Sequence, residues 1–248
     1  MVEAPDDECW ELVFKFLKSL SVVSKQFLSI TNRLRYYLTI KLLTGPFLYS
    51  IFHRFPNLIS LHLSNVHTIP TDGLRAFSQN IATLTSLTCS DILYLNTTDM
   101  FFIADCFPNL KQLDLNHCYH LSEVGIAHVL RKCRNIRHLN LSGCEGLKLS
   151  EINFEVPKLE VLNLSYTSVD DERLYVISKS CRGLLKLVLD NCCDVTHKGV
   201  KHVAKNCTKL REISLRGCDR VHADVIGPIV SSRPSLRKIT SPPLLSLQ

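Results

Sequence analysis

Apolar residues in this chain recur in a fixed skeleton. In LKQLDLNHCYHL (Leu110 to Leu121) and IRHLNLSGCEGL (Ile136 to Leu147) they fall at positions 1, 4, 6 and 12, with a cysteine at position 9. The first anchor of the skeleton occurs at Leu58, Leu84, Leu110, Ile136, Leu159, Leu184, Leu210 and Leu236, at spacings of 26, 26, 26, 23, 25, 26 and 26. A near-constant period of this size marks a solenoid. Within a repeat, K-Q-L-D-L-N alternates polar with apolar and predicts a short strand with one buried face. Leu113 and Leu115 point inward, as do Leu139 and Leu141, Leu162 and Leu164, Leu187 and Leu189, and Ile213 with Leu215. Strands one repeat apart lie parallel at about 4.8 Å, and parallel neighbours need a crossover.

The second half of each repeat supplies that crossover with a helical pattern. In SEVGIAHVLRKC, Ser122 is the expected cap, and Val124, Val129, Leu130 and Cys133 form the expected buried stripe. Leu174, Ile177 and Cys181 form the next, then Val200, Val203, Ala204 and Cys207 behind a Thr196 cap. ADVIGPIVSS repeats the idea with Val225, Ile226 and Ile229, shortened or kinked by Pro228. Cysteines follow the same geometry. Cys118, Cys144, Cys192 and Cys218 share one position, where the strand turns into the helical half, and Cys133, Cys181 and Cys207 share another. A small buried thiol suits a turn that leaves carbonyls and amides unpaired. Thr167 takes the first position in the shortened repeat at Leu159, and Cys193 is expected to be the most exposed thiol.

Composition narrows the function. The chain has 248 residues and a formal charge of +6, from 29 basic and 23 acidic side chains, with no run of five like charges. That gives no support to nucleic-acid binding. The start, MVEAPDDECW, is acidic where a secretory signal is basic, and no apolar stretch reaches the roughly 18 residues of a membrane span. A cytoplasmic or nuclear protein is expected, which would keep the 11 cysteines reduced. No C-x-x-C pair and no glycine-rich phosphate loop occurs, so neither a metal nor a cofactor is expected. No nucleophile–base constellation stands out, and an enzyme is not expected.

The repeat L-x-x-L-x-L-x-x-C-x-x-L resembles the cysteine-containing class of leucine-rich repeats, from about Leu58 onward. The resemblance implies a curved parallel sheet on the concave side and helices outside: an α/β solenoid of about eight rungs over residues 41–248. Residues 1–40 differ. They resemble an F-box, an all-α motif, at Pro5, Glu8, Val13, Phe14, Leu17, Leu20, Ser21, Val23 and Lys25, with Ser24 and Phe27 where Cys and Trp are usual. Only Lys18 and Ser19 separate its two halves, a shortened F-box that folds either as two helices or as one fused helix. The whole resembles plant-type F-box/leucine-rich-repeat proteins.

That resemblance implies a substrate receptor of an SCF-type cullin–RING ubiquitin ligase. Pro5, Glu8, Val13, Phe14, Leu17, Leu20, Val23 and Phe27 would bind a Skp-type adaptor, and the concave face a protein substrate. By alternation, the concave candidates are Lys111, Asp114, Arg137, His138, Asn140, Glu160, Asn163, Tyr166, Lys186, Asp190, Arg211 and Arg216. Gln112, Asn116, Ser142, Ser165, Val188, Glu212, Ser214, Arg237 and Lys238 lie beside them. No nucleic-acid or membrane partner is expected. Two plainer alternatives stand: an N-terminal helix that only caps the first repeat, and a binding scaffold whose F-box has lost its adaptor.

Overall fold

The computed structural model describes residues 36–40, 55, 57–64, 68–69, 83–147, 149–222, 227 and 233–240. The candidate adaptor residues Pro5 to Phe27 lie outside them, as does the expected helix over 223–232 apart from Gly227.

The described strands form one parallel sheet in chain order. They are β1 (Tyr37–Ile40), β2 (Ser60–Ser64), β3 (Ser86–Ser90), β4 (Gln112–Asp114), β5 (His138–Asn140), β6 (Val161–Asn163), β7 (Lys186–Val188), β8 (Glu212–Ser214) and β9 (Lys238–Thr240). Helices α1 (Thr97–Cys106), α2 (Glu123–Lys132), α3 (Asp171–Ser180) and α4 (His197–Asn206) return the chain on the outer side. This is a leucine-rich-repeat solenoid. Leu87, Leu113, Leu139, Leu162, Leu187 and Ile213 pair directly across neighbouring strands and are all buried. The leucine frame therefore sets the register.

Three expectations need correction. The sheet starts a strand earlier than the anchors suggested, so residues assigned to the N-terminal helical segment pair with β2, Tyr37 opposite Ser60 and Ile40 opposite Leu63. Leu38 and Ile40 keep the alternation, but Arg35 stands where the anchor leucine would be, which hid the repeat. Val124 is 51% exposed. The buried stripe of α2 is Ile126, Val129, Leu130 and Cys133, and Val124, two residues before Ile126, turns about 200° away from it. Finally, the outer half of the repeat starting at Ile136 carries no helix over 149–158. The three missing residues come from that outer segment, ahead of Leu159, so the short repeat is the one before the Thr167 position.

Side chains cap the N-terminal ends of the described helices, at Ser122 and Thr196 as the sequence suggested. Ser122 accepts the Gly125 N–H at 3.1 Å, and Thr196 the Lys198 N–H at 3.1 Å. Asn96 and Asp99 form a reciprocal capping box on α1. The cysteine position is equally regular. Cys118 Sγ donates to the Cys89 carbonyl (2.9 Å), Cys144 to Leu115 (3.2 Å), Cys192 to Leu164 (3.0 Å) and Cys218 to Leu189 (2.9 Å). Each thiol thus bonds back to the preceding repeat. Thr167 instead donates to Leu164, within its own repeat, at 2.7 Å.

The residue before the ladder position is left-handed in each of the six repeats where it is described. Asp91, His117, Gly143, Tyr166, Asn191 and Gly217 have φ of 57, 56, 70, 57, 57 and 67°. That twist aims the backbone N–H at the next repeat. Asp91 donates to Asn116 O, His117 to Ser142 O, Gly143 to Ser165 O, Tyr166 to Asp190 O and Asn191 to Arg216 O, at 2.7 to 3.0 Å.

Candidate functional site

The concave face consists of the side chains that alternate with the buried leucines. One row runs Ser86, Gln112, His138, Val161, Lys186, Glu212, and a second runs Thr88, Asp114, Asn140, Asn163, Val188, Ser214. Their middle portion lines an open groove of about 400 Å³.

The twelve sequence candidates separate into three places. Asp114, His138, Asn140, Asn163 and Lys186 line the groove. Lys111, Arg137, Glu160 and Arg211 each sit one residue before a strand, on the sheet's leading edge. There Arg137 and Glu160 form an ion pair at 2.7 Å. Asp190, Arg216 and Tyr166 lie past the strand ends, with Tyr166 59% exposed.

Part of the polar row is committed to the fold. Asp114 Oδ1 accepts the Asn116 N–H and the Asn140 amide, both at 3.0 Å. Asn140 Oδ1 accepts the Ser142 N–H at 3.1 Å, and Asn163 Oδ1 the Ser165 N–H at 3.0 Å. These are Asx turns that end the strands. Asp190 likewise holds Ser214 and the Arg216 N–H. What remains free to meet a ligand is the outward edge of those groups, together with His138, Gln112, Lys186 and the apolar Val161 and Val188. Gln112 Nε2 lies 3.2 Å from His138 Nδ1, and Lys186 pairs with Glu212 at 3.2 Å.

Ser86, Thr88 and Val161 were missed. Val161 stands two residues after its anchor, as His138 does. The frame would have found it had its apolar character not argued against an exposed face. Ser86 and Thr88 belong to the Leu84 repeat, whose ladder position holds Ile92, so the motif was faint there.

Burial pushes the thiols of Cys118, Cys133, Cys181, Cys207 and Cys218 up to about 12, and those of Cys144 and Cys192 to about 11. Protonated thiols are poor nucleophiles and poor ligands. Among the described cysteines Cys193 is the exposed one. Among the described residues no group of three or more His, Cys, Asp or Glu could hold a metal ion, and no helix is long and apolar enough to cross a membrane.

A leucine-rich-repeat family model matches residues 132–148. The chain is 29% identical over 143 residues to F-box/LRR-repeat protein 23 of Arabidopsis thaliana, covering 53% of this chain and 31% of that protein. It is 27% identical over 161 residues to F-box/LRR-repeat protein 4 of Bos taurus, covering 62% of this chain and 25% of that one. The chain thus matches a third or less of the length of these curated relatives. Among solved structures, a chain of the yeast Rad7–Elc1 complex superposes with a TM-score of 0.53 at 17% identity, over 82% of this chain and 62% of its own. The likenesses support the F-box/LRR-repeat family and agree on the solenoid.

Proposed function

We propose that this protein is the substrate-recognition subunit of an SCF-type cullin–RING ubiquitin ligase. The concave face holds a target protein, and the segment containing Pro5, Glu8, Val13, Phe14, Leu17, Leu20, Val23 and Phe27 engages a Skp-type adaptor. Such a subunit makes and breaks no bond. It raises the effective concentration of a substrate lysine beside a charged conjugating enzyme. The observation that carries the proposal is the likeness to two F-box/LRR-repeat proteins, joined to an open groove whose lining is mixed polar and apolar. The ladder of cysteines donating to the preceding repeat supports the cysteine-containing, plant-type subclass.

Purified chain mixed with a Skp-type adaptor should co-elute and give a micromolar or tighter dissociation constant. Failure to bind at micromolar concentration removes the proposal. The two-residue gap between Leu17 and Leu20 favours a second reading, a repeat scaffold that has lost its adaptor. On that reading, inserting a loop after Leu17 creates adaptor binding that the natural chain lacks. Unchanged binding counts against it.

A further inference from the structure

The modest net charge conceals a strong polarity. Because strands are parallel and helices run back, the turns from helix to strand share one edge of the solenoid and the turns from strand to helix share the other. Residues 105–111, 131–137, 154–160, 179–185, 205–211 and 233–237 form the first edge and hold thirteen cations against three acids. Residues 90–97, 116–123, 142–147, 149–150, 165–171, 190–197 and 216–222 form the second and hold eight acids against two cations. Helix dipoles favour cations in the last helical turn, which accounts for Arg131, Lys132, Lys179 and Lys205. They do not account for Arg134, Arg182 and Lys209, which lie beyond helix ends, nor for Lys158, whose repeat has no helix.

That helix-free repeat opens a cleft of about 590 Å³ on the basic edge. Its walls are apolar: Leu130, Ile136, Phe154 and Val156 among them. Arg131, Arg134 and Lys158 stand on the rim, all exposed, against the single acid Glu155. The Arg131 guanidinium lies over the Phe154 ring at 4.4 Å, so the cation and the apolar wall are presented together.

We propose that this edge is a second docking surface, separate from the concave groove, for an acidic polypeptide segment that inserts a bulky apolar side chain into the cleft. A predominantly basic edge attracts and orients an acidic partner. The apolar cleft is what selects a peptide over a nucleic-acid backbone, which has phosphates for the rim and nothing aliphatic for the walls. Among the described residues no exposed tyrosine lines the cleft to stack bases: Tyr94, Tyr119, Tyr166 and Tyr175 lie elsewhere, and Tyr36, on this edge, precedes β1, four strands from β5.

The test uses fluorescence anisotropy on the full chain. One labelled probe is a peptide of glutamates around a central Leu-Phe pair; a second has Gly-Ser in place of that pair; a third is a DNA duplex. The first should bind saturably, and the second about tenfold more weakly. Arg134→Glu with Lys158→Glu should weaken the first probe by about tenfold or more, whereas Glu155→Lys should strengthen it by a few-fold. Lys186→Glu, on the concave face, should leave it unchanged. All four positions are exposed or form no part of the core, and circular dichroism verifies that each variant is folded. Equal binding of the two peptides, tighter binding of the duplex, indifference to the rim charges, or an equal loss with Lys186→Glu would each overturn the proposal.

Discussion

Residues 171–206 and residues 149–158 back the same sheet, the first with two helices packed on each other, the second with no helix at all. The sheet does not register the difference. His138, Val161 and Lys186 stay aligned straight across the shortened repeat. In the helical stretch, Leu174, Ile177, Val200 and Val203 fill the outer half of the core. In the short stretch Leu149, Ile152 and Val156 do so from a helix-free backbone of turns and bends, all buried. That backbone is then tied to the next repeat: the Val156 N–H donates to Ser180 O at 2.8 Å, and the Ser180 hydroxyl donates to Ile152 O at 3.0 Å. The strand frame is thus the organising element, and the outer segment must supply apolar side chains and hydrogen-bond partners in whatever backbone form fits.

The sharpest way to break that conclusion is to remove a frame leucine. Leu139 is 2% exposed between Leu113 and Leu162. Leu139→Ala should destabilise the protein by about 2–5 kcal/mol in urea unfolding. Arg137→Ala, two residues away on the exposed edge, should change stability by under about 1 kcal/mol, since an exposed ion pair contributes little. A reversal of that order would mean the strand register is wrong by one residue.

The helix-free repeat makes its own demand. A Cβ on Gly183 would collide with the Pro157 carbonyl oxygen, because the short segment is pulled directly against the following turn. Gly183→Ala should therefore lower stability by about 1–3 kcal/mol, with the backbone shifting to relieve the contact. If urea unfolding of Gly183→Ala matched the natural chain, the segment would be looser than the Val156–Ser180 bond indicates.

How much was readable beforehand follows the same division. The sheet order, the inward leucines, the caps at Ser122 and Thr196 and the exposed Cys193 follow from spacing and residue type, since each depends on local pattern. Tyr37–Ile40 was not readable as a rung, because its anchor position holds Arg35. Nor was the loss of the helix over 149–158, because the spacing of Leu149, Ile152 and Val156 suits a helix and an irregular filler equally well. For the candidate groove, alternation located Asp114, Asn140 and Asn163 but not their Asx bonds, which depend on backbone amides two residues on.

The cysteine ladder gives a smaller, pH-dependent contrast with Thr167. The Cys118 thiol is raised by burial from 9.0 to about 12. Between those values the unfolded chain has lost the proton that the folded chain retains. Stability is therefore fully present below about pH 9 and falls as pH rises toward 12. Cys118→Ala removes one such group. It should lose about 1 kcal/mol at neutral pH, with the thiol's hydrogen bond, and then decline less steeply above pH 9, by about 1.4 kcal/mol per unit. Thr167→Ala, lacking a titrating group, should leave the alkaline slope as it was. Equal slopes for Cys118→Ala and the natural chain, measured by urea unfolding from pH 8 to pH 10 in reductant, would mean the thiol is not buried as described.

The smallest expected effect has the opposite sign. Tyr166 occupies the left-handed position that Gly143 and Gly217 fill in other repeats, at φ 57°. A bulky side chain there costs about 1–2 kcal/mol relative to glycine, and the greater freedom of glycine in the unfolded chain returns roughly 0.5–1 kcal/mol of that. Tyr166→Gly should therefore raise stability, by under about 1 kcal/mol, even though the ring makes up exposed surface. A stabilising truncation of an exposed aromatic beside the groove is what a residue retained for contact with another molecule would give. If Tyr166→Gly instead lowers stability in thermal unfolding, the ring is packing against the protein, and its place among the candidate contacts is lost.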